Sequence, residues 1–172
     1  GLSDVDGDGD VIFIATGSGS YLVNFVAENN QQIVGQGVAL SLNSIPLTNA
    51  GTPPTLTNNS GDTLTVASGV AVRGLNFSGG GNRAIAGSSL SGSLTLANLS
   101  IQDTSILISG GTPNVNISSV TLNDTNTDAI EISNVQGTVS LSNLTVTDLE
   151  EGAGVVFELS SPIAPTLTVS NS

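Results

Sequence analysis

Leu94-Thr-Leu96-Ala-Asn98-Leu99-Ser-Ile101-Gln-Asp103 is a phrase that this chain uses three times. It returns as Val115-Asn-Ile117-Ser-Ser119-Val120-Thr-Leu122-Asn-Asp124 and again as Val139-Ser-Leu141-Ser-Asn143-Leu144-Thr-Val146-Thr-Asp148. Copies about 21 to 24 residues apart fall in the range of solenoid repeats. Within each copy apolar residues alternate with small polar ones, which is the period of a strand and not of a helix. A strand-period repeat of this length predicts an all-β, single-domain parallel β-helix in which each coil of chain stacks on the coil before it. Solenoids act as scaffolds, adhesins and polysaccharide enzymes alike, so the fold leaves function open.

Outward from the repeat, the chain divides into an acidic loop over 1–10, irregular first rungs over 11–62 and regular rungs over 63–172. Val11 to Ile14 and Tyr21 to Val26 read as strands, and Ile33 to Val38 as part of another rung. Pro46 to Ser60, rich in Pro, Thr and Asn, reads as an irregular excursion. Leu64 to Val66, Val70 to Val72 and Leu75 to Phe77 read as the faces of one coil. Ser, Thr and Gly are abundant and depress helix propensity throughout.

The 172 residues suffice for one domain, and 38% of them are hydrophobic. Only 3% are aromatic, so the core must be built from Val, Ile, Leu and Ala. Fourteen acidic residues face two arginines, Arg73 and Arg83, for a net charge of -12. Such a chain is repelled by phosphate backbones and by anionic lipid surfaces, so no nucleic-acid partner is expected. No apolar run approaches the roughly 20 residues of a membrane-spanning helix, so no membrane insertion is expected. Cysteine is absent, and stability must come from stacked sheets instead of disulfides. The opening Gly1-Leu2-Ser3 suggests a processed mature chain or an excised domain, and the last rung, Leu167 to Ser172, reads as unfinished, so that either the native chain continues past it or its edge serves assembly. An unfinished rung exposes strand edges that pair readily with another chain.

Val11 to Ile14, the Gly-Ser turn, Tyr21 and Gln32-Ile-Val-Gly35-Gln-Gly37-Val resemble the first rungs of pectate-lyase-like right-handed parallel β-helices. Val72-Arg73-Gly74-Leu75-Asn76-Phe77 is similar to one of their rungs, and Asn98, Asn143 and Asn171 resemble their asparagine ladder. The resemblance implies the fold and a surface location. It does not extend to the enzymes' chemistry. Their lyase members imply an arginine beside a carboxylate cluster, and neither Arg73 nor Arg83 has acidic sequence neighbours. Their hydrolases imply paired aspartates near a histidine, and this chain has no histidine. The Ser/Thr/Asn/Gly-rich composition resembles the adhesin branch.

Several positions carry candidate chemistry. Asp4, Asp6, Asp8 and Asp10 alternate around Gly7 and Gly9, a pattern that lets carboxylates converge on Ca²⁺ with glycine allowing the bend. The place of the usual bidentate glutamate is taken by Ala15, so the site would need further ligands. The alternative is a solvated acidic cap. Asp103, Asp124 and Asp148 close the three phrases. In register they would stand about 5 Å apart, at a repulsion in water of about 0.8 kcal/mol per pair. They read either as a cation- or sugar-binding row or, preferably, as turn residues that accept backbone N–H groups. Asn98 and Asn143, with Ser119 between them, read as buried turn amides satisfying one another. Outward threonines such as Thr95, Thr121 and Thr145 resemble the arrays of some ice-binding solenoids, yet Ser and Asn interrupt the rows and Thr suits any exposed strand face.

The function expected from these features is structural: an extracellular solenoid that joins copies of itself through its open ends into a filament, or forms an adhesin stalk, with surface glycans as further partners. No catalytic residues are assigned. The alternative is a polysaccharide-binding or polysaccharide-cleaving β-helix.

Overall fold

The computed structural model describes residues 7–79, 81–123, 125, 127–158 and 166–170. They form a parallel β-solenoid of about six turns, without helices. The first turn carries β1 (Val11–Ile14), β2 (Tyr21–Leu22) and β3 (Phe25–Val26). The second carries β4 (Gln32–Gly35), a hairpin of β5 (Leu40–Leu42) and β6 (Ile45–Thr48), then β7 (Thr55–Thr57) and β8 (Leu64–Val66). Each later turn needs only a long and a short strand: β9 (Ala71–Ser78) with β10 (Ile85–Leu90), β11 (Ser93–Gln102) with β12 (Ile106–Gly111), β13 (Asn114–Asn123) with β14 (Ile130–Ser133), and β15 (Thr138–Thr147) with β16 (Val155–Glu158). A last strand, β17 (Thr166–Ser170), opens a further turn.

Two parallel sheets run the length of the coil. One follows the order β1, β4, β9, β11, β13, β15, β17, with β2 and β7 joining beside β9, and the other runs β3, β8, β10, β12, β14, β16. The repeated phrases are in register, with Leu96 on Ile117 and Ile117 on Leu141. The same column continues through Val72 and Ile33 to Ile12 on one side and to Val169 on the other. Inward positions in the middle turns are sealed: Val72, Leu96 and Ile117 are each 0% exposed. Aliphatic side chains suffice because each rung buries like against like, with Phe77 as the one fully buried ring among the described residues.

The long strands bend midway. Gly74, Asn98, Ser119 and Asn143 lie one on another by register, and all hold a left-handed backbone, with φ of 70°, 53°, 54° and 51°. Glycine and asparagine reach this region at low cost. The asparagine row is therefore real in register, but its members are exposed, not buried: they serve the backbone bend, which corrects the expected mutual burial of their amides. Asn171 lies outside the described residues.

Several expected elements are corrected in the same way. Tyr21 to Val26 is not one strand, because β2 and β3 belong to different sheets. The irregular excursion sits earlier than Pro46 to Ser60. It leaves the coil after Gly35, at the register of Gly74, and returns at β7, which pairs with the second half of β9. The proline-rich stretch hid both a hairpin strand and β7. The hairpin turns through Asn43 and Ser44, both left-handed. Val34, on the register of outward-facing Arg73, is 0% exposed beside this excursion. Close packing explains Gly35 and Gly74: a Cβ on Gly74 would meet the Gly35 carbonyl oxygen at 2.7 Å and Val38 at 2.8 Å.

Candidate functional site at the two ends of the solenoid

The middle of the coil offers sealed rungs, while its two ends do not. At the first end, Ile12, Phe13 and Ile14 of β1 are half-buried, and Tyr21, Leu22 and Val26 are exposed at 37%, 66% and 65%. Ile12, Ile14, Tyr21, Phe25 and Leu56, with Phe13, Ala15 and Val23, surround an apolar cavity of about 400 Å³. The Tyr21 hydroxyl donates to the Ala15 carbonyl at 2.9 Å, which pins the loop joining β1 to β2. At the other end Leu141, Leu144, Val146, Val155, Phe157 and Val169 line a second apolar cavity of about 320 Å³. Leu167 and Val169 of β17 are 46% and 54% exposed, although they continue columns whose inner members are buried.

The ends also hold most of the rings. Phe13, Tyr21 and Phe25 lie in the first turn and Phe157 in the last, with Phe77 alone between them. Aromatic side chains bury large areas and dominate the energetics of cores and interfaces. Their grouping toward the two ends of the chain is a second mark of this site in the sequence, beside the unfinished last rung, and composition alone does not reveal it. The columns match as well. Phe25 stands in line with Val155, and Ile12 in line with Val169, through every intervening rung.

The acidic loop closes one side of the first end. The Asp10 carboxylate accepts the Gly7 N–H at 2.9 Å, and the Asp10 carbonyl accepts the Gln32 N–H at 2.9 Å. Gln31 is fully buried beneath it; its amide oxygen accepts the Glu28 N–H and its amide nitrogen donates to the Gly7 carbonyl. At this corner a buried polar side chain continues the column that holds Val70 and Leu94 in later turns. Asp8 is exposed, and Asp4 and Asp6 lie outside the described residues. Among the described residues no three acidic, histidine or cysteine side chains gather as a metal-ligand set.

Asp103 and Asp148 sit just past the long strands with φ of 59° and 52°, and Asp103 follows the register to Gly79 at 110°. Asp124 lies outside the described residues. The left-handed backbone supports the turn role for Asp103 and Asp148, since aspartate is among the few residues that tolerate it. The threonines do not form single columns: Thr95 stacks on Asn116 and then Ser140, while Thr121 stacks on Thr145. A separate groove of about 510 Å³, lined by Asp8, Asn29, Asn30, Ser68, Gly69 and Ser91 to Ser93, runs down a corner of the early turns. It is walled by amides and hydroxyls, and the Ser68 hydroxyl accepts the Ser91 N–H at 2.9 Å. Arg83 meets Glu131 at 3.7 Å across the outer surface.

Fold and ends together define a parallel β-solenoid with sealed central rungs and apolar termini. No protein-family model, curated protein or solved structure matches the chain. No helix among the described residues is long and apolar enough to cross a membrane.

Proposed function

We propose that this solenoid is an extracellular structural protein of the pectate-lyase-like right-handed β-helix type, and that its copies join end to end into a filament. The observation that carries the reading is the pair of apolar ends whose columns are in line. A second copy placed with β1 on β17 sets Ile12 directly beyond Val169, continuing that core column, and leaves Phe25 in line with Val155 two strand spacings away. Edge strands are templates for such strand addition, and the apolar surface of both ends leaves water as it forms. The contact is heterologous and adds each copy along the solenoid axis, so it propagates as a fibre instead of closing into a ring.

The role is non-catalytic in this reading. Asp103 and Asp148 are committed to turns, and Arg83 to Glu131. The acidic loop from Asp4 to Asp10 would reinforce the junction by sharing Ca²⁺ with the next copy. Negative-stain imaging of the purified chain, with and without a chelator, tests the proposal. Rods many solenoids long support it, and shortening on chelation supports the Ca²⁺ contribution. Single short rods under all conditions would favour an adhesin stalk instead.

A further inference from the structure

Resting on the end-to-end reading, we infer that assembly is gated by ionic strength, because like charges stand in line across the junction that the apolar columns favour. The sheet that begins at β3 aligns Val26 with Thr65 and, further along, Ser133 with Glu158. Its intermediate pairs are Gly87 with Val66, Ser88 with Ser109 and Ser109 with Ser133. Continued two residues past Val26, the register places Glu28 on the column of Ala67, Ser88, Ser109, Ser133 and Glu158. One column of small neutral side chains thus begins and ends in a glutamate.

The rims around this column carry the same sign. Asp8, Asp10 and Glu28 surround the first end, and Glu150, Glu151 and Glu158 the last, while both arginines lie in the turns between. All but half-buried Glu28 are exposed. Because β17 adds a strand to one sheet only, Glu28 of a following copy lies two strand spacings, about 10 Å, beyond Glu158. This pair and its acidic neighbours repel modestly across the junction when the screening length is about 30 Å, near 0.01 M salt, and hardly at all when it is about 3 Å, near 1 M. The apolar ends are insensitive to this screening. The chain therefore stays single in dilute buffer and assembles as salt rises, with the Glu28–Glu158 pair as the most direct contributor. Opposed like charges at an interface also select the partner and its register.

Sedimentation velocity and negative-stain imaging at about 0.01 M and about 1 M NaCl, on the intact chain and three variants, test the inference. The intact chain should be monomeric at low salt and fibrous at high salt. Glu158→Lys and Glu28→Lys each convert repulsion into attraction. Each should lower the concentration needed for fibres at low salt by about three- to fourfold. The double variant Glu28→Lys/Glu158→Lys restores a like pair and should return to monomers at low salt, although its net charge is lower than that of either single variant. Fibres that form equally at both salts, or a double variant that assembles at low salt as readily as the single ones, would overturn the gate and leave the filament reading standing. Monomers under every condition in all four proteins would overturn the filament reading and the gate with it.

Discussion

The first two turns and the four that follow differ in one respect: whether the left-handed bend is occupied by a single residue or by an insertion. In β9, β11, β13 and β15 the bend is Gly74, Asn98, Ser119 or Asn143, and the strand runs unbroken through it. In the first turn the same place is taken by the loop from Ala15 to Ser20, and in the second by the excursion that begins after Gly35. The inserted loops meet each other: Gln36 accepts the Thr16 N–H at 2.8 Å, and the Thr16 hydroxyl donates to the Thr52 carbonyl. A solenoid thus admits extra chain at a bend, where the backbone already turns away from the core, without disturbing the register on either side.

The contrast is sharpened first by truncating the core in each region. Ile117 is 0% exposed in the middle of its column, and Ile117→Ala should cost about 3 to 4 kcal/mol by urea unfolding. Ile12 heads the same column but is only half-buried, and Ile12→Ala should cost about 1 kcal/mol. Equal losses would show that the first turn is packed as tightly as the middle. The bend itself comes next. Gly74→Ala combines a left-handed φ with contacts below 3 Å to Gly35 and Val38. It should cost about 2 kcal/mol or more in thermal or chemical unfolding. The smallest effect is expected at Ser119, which holds the same conformation in open surroundings. Ser119→Gly should raise stability by up to about 1 kcal/mol by relieving the backbone. A loss there would mean that the serine side chain contributes more than its conformation costs.

The same division governs how much of the molecule is readable from sequence. Leu96, Ile117 and Leu141 are visible as a stack because their turns share one phrase, and register follows from phrase. The bend is visible only as a recurring Asn or Ser, since left-handed φ leaves no other mark. Such residues read naturally as buried amides, although they are exposed. The first turns resist detailed reading because Pro46, Pro53 and Pro54 suggest loop, while β7, which follows them, is fixed by its pairing with distant β9 and not by local preference. The candidate interface is the least legible part. Phe13, Phe25 and Phe157 look like ordinary core residues until the topology assigns them to the outermost turns.

The claim on which the account turns is that β1 of one copy continues the sheet beyond β17 of another. Because the chain has no cysteine, Val11→Cys and Thr168→Cys can be introduced singly, on the column where Val11, Gln32, Ala71, Thr95, Asn116, Ser140 and Thr168 align. Neighbouring strands bring such positions within disulfide reach. Mixed in high salt under mild oxidation, the two variants should form a disulfide that joins the Val11→Cys chain to the Thr168→Cys chain, identified by mass spectrometry, while neither variant links to itself. Self-linked pairs of either variant, or fibres in which the mixed link never forms, would contradict the head-to-tail junction.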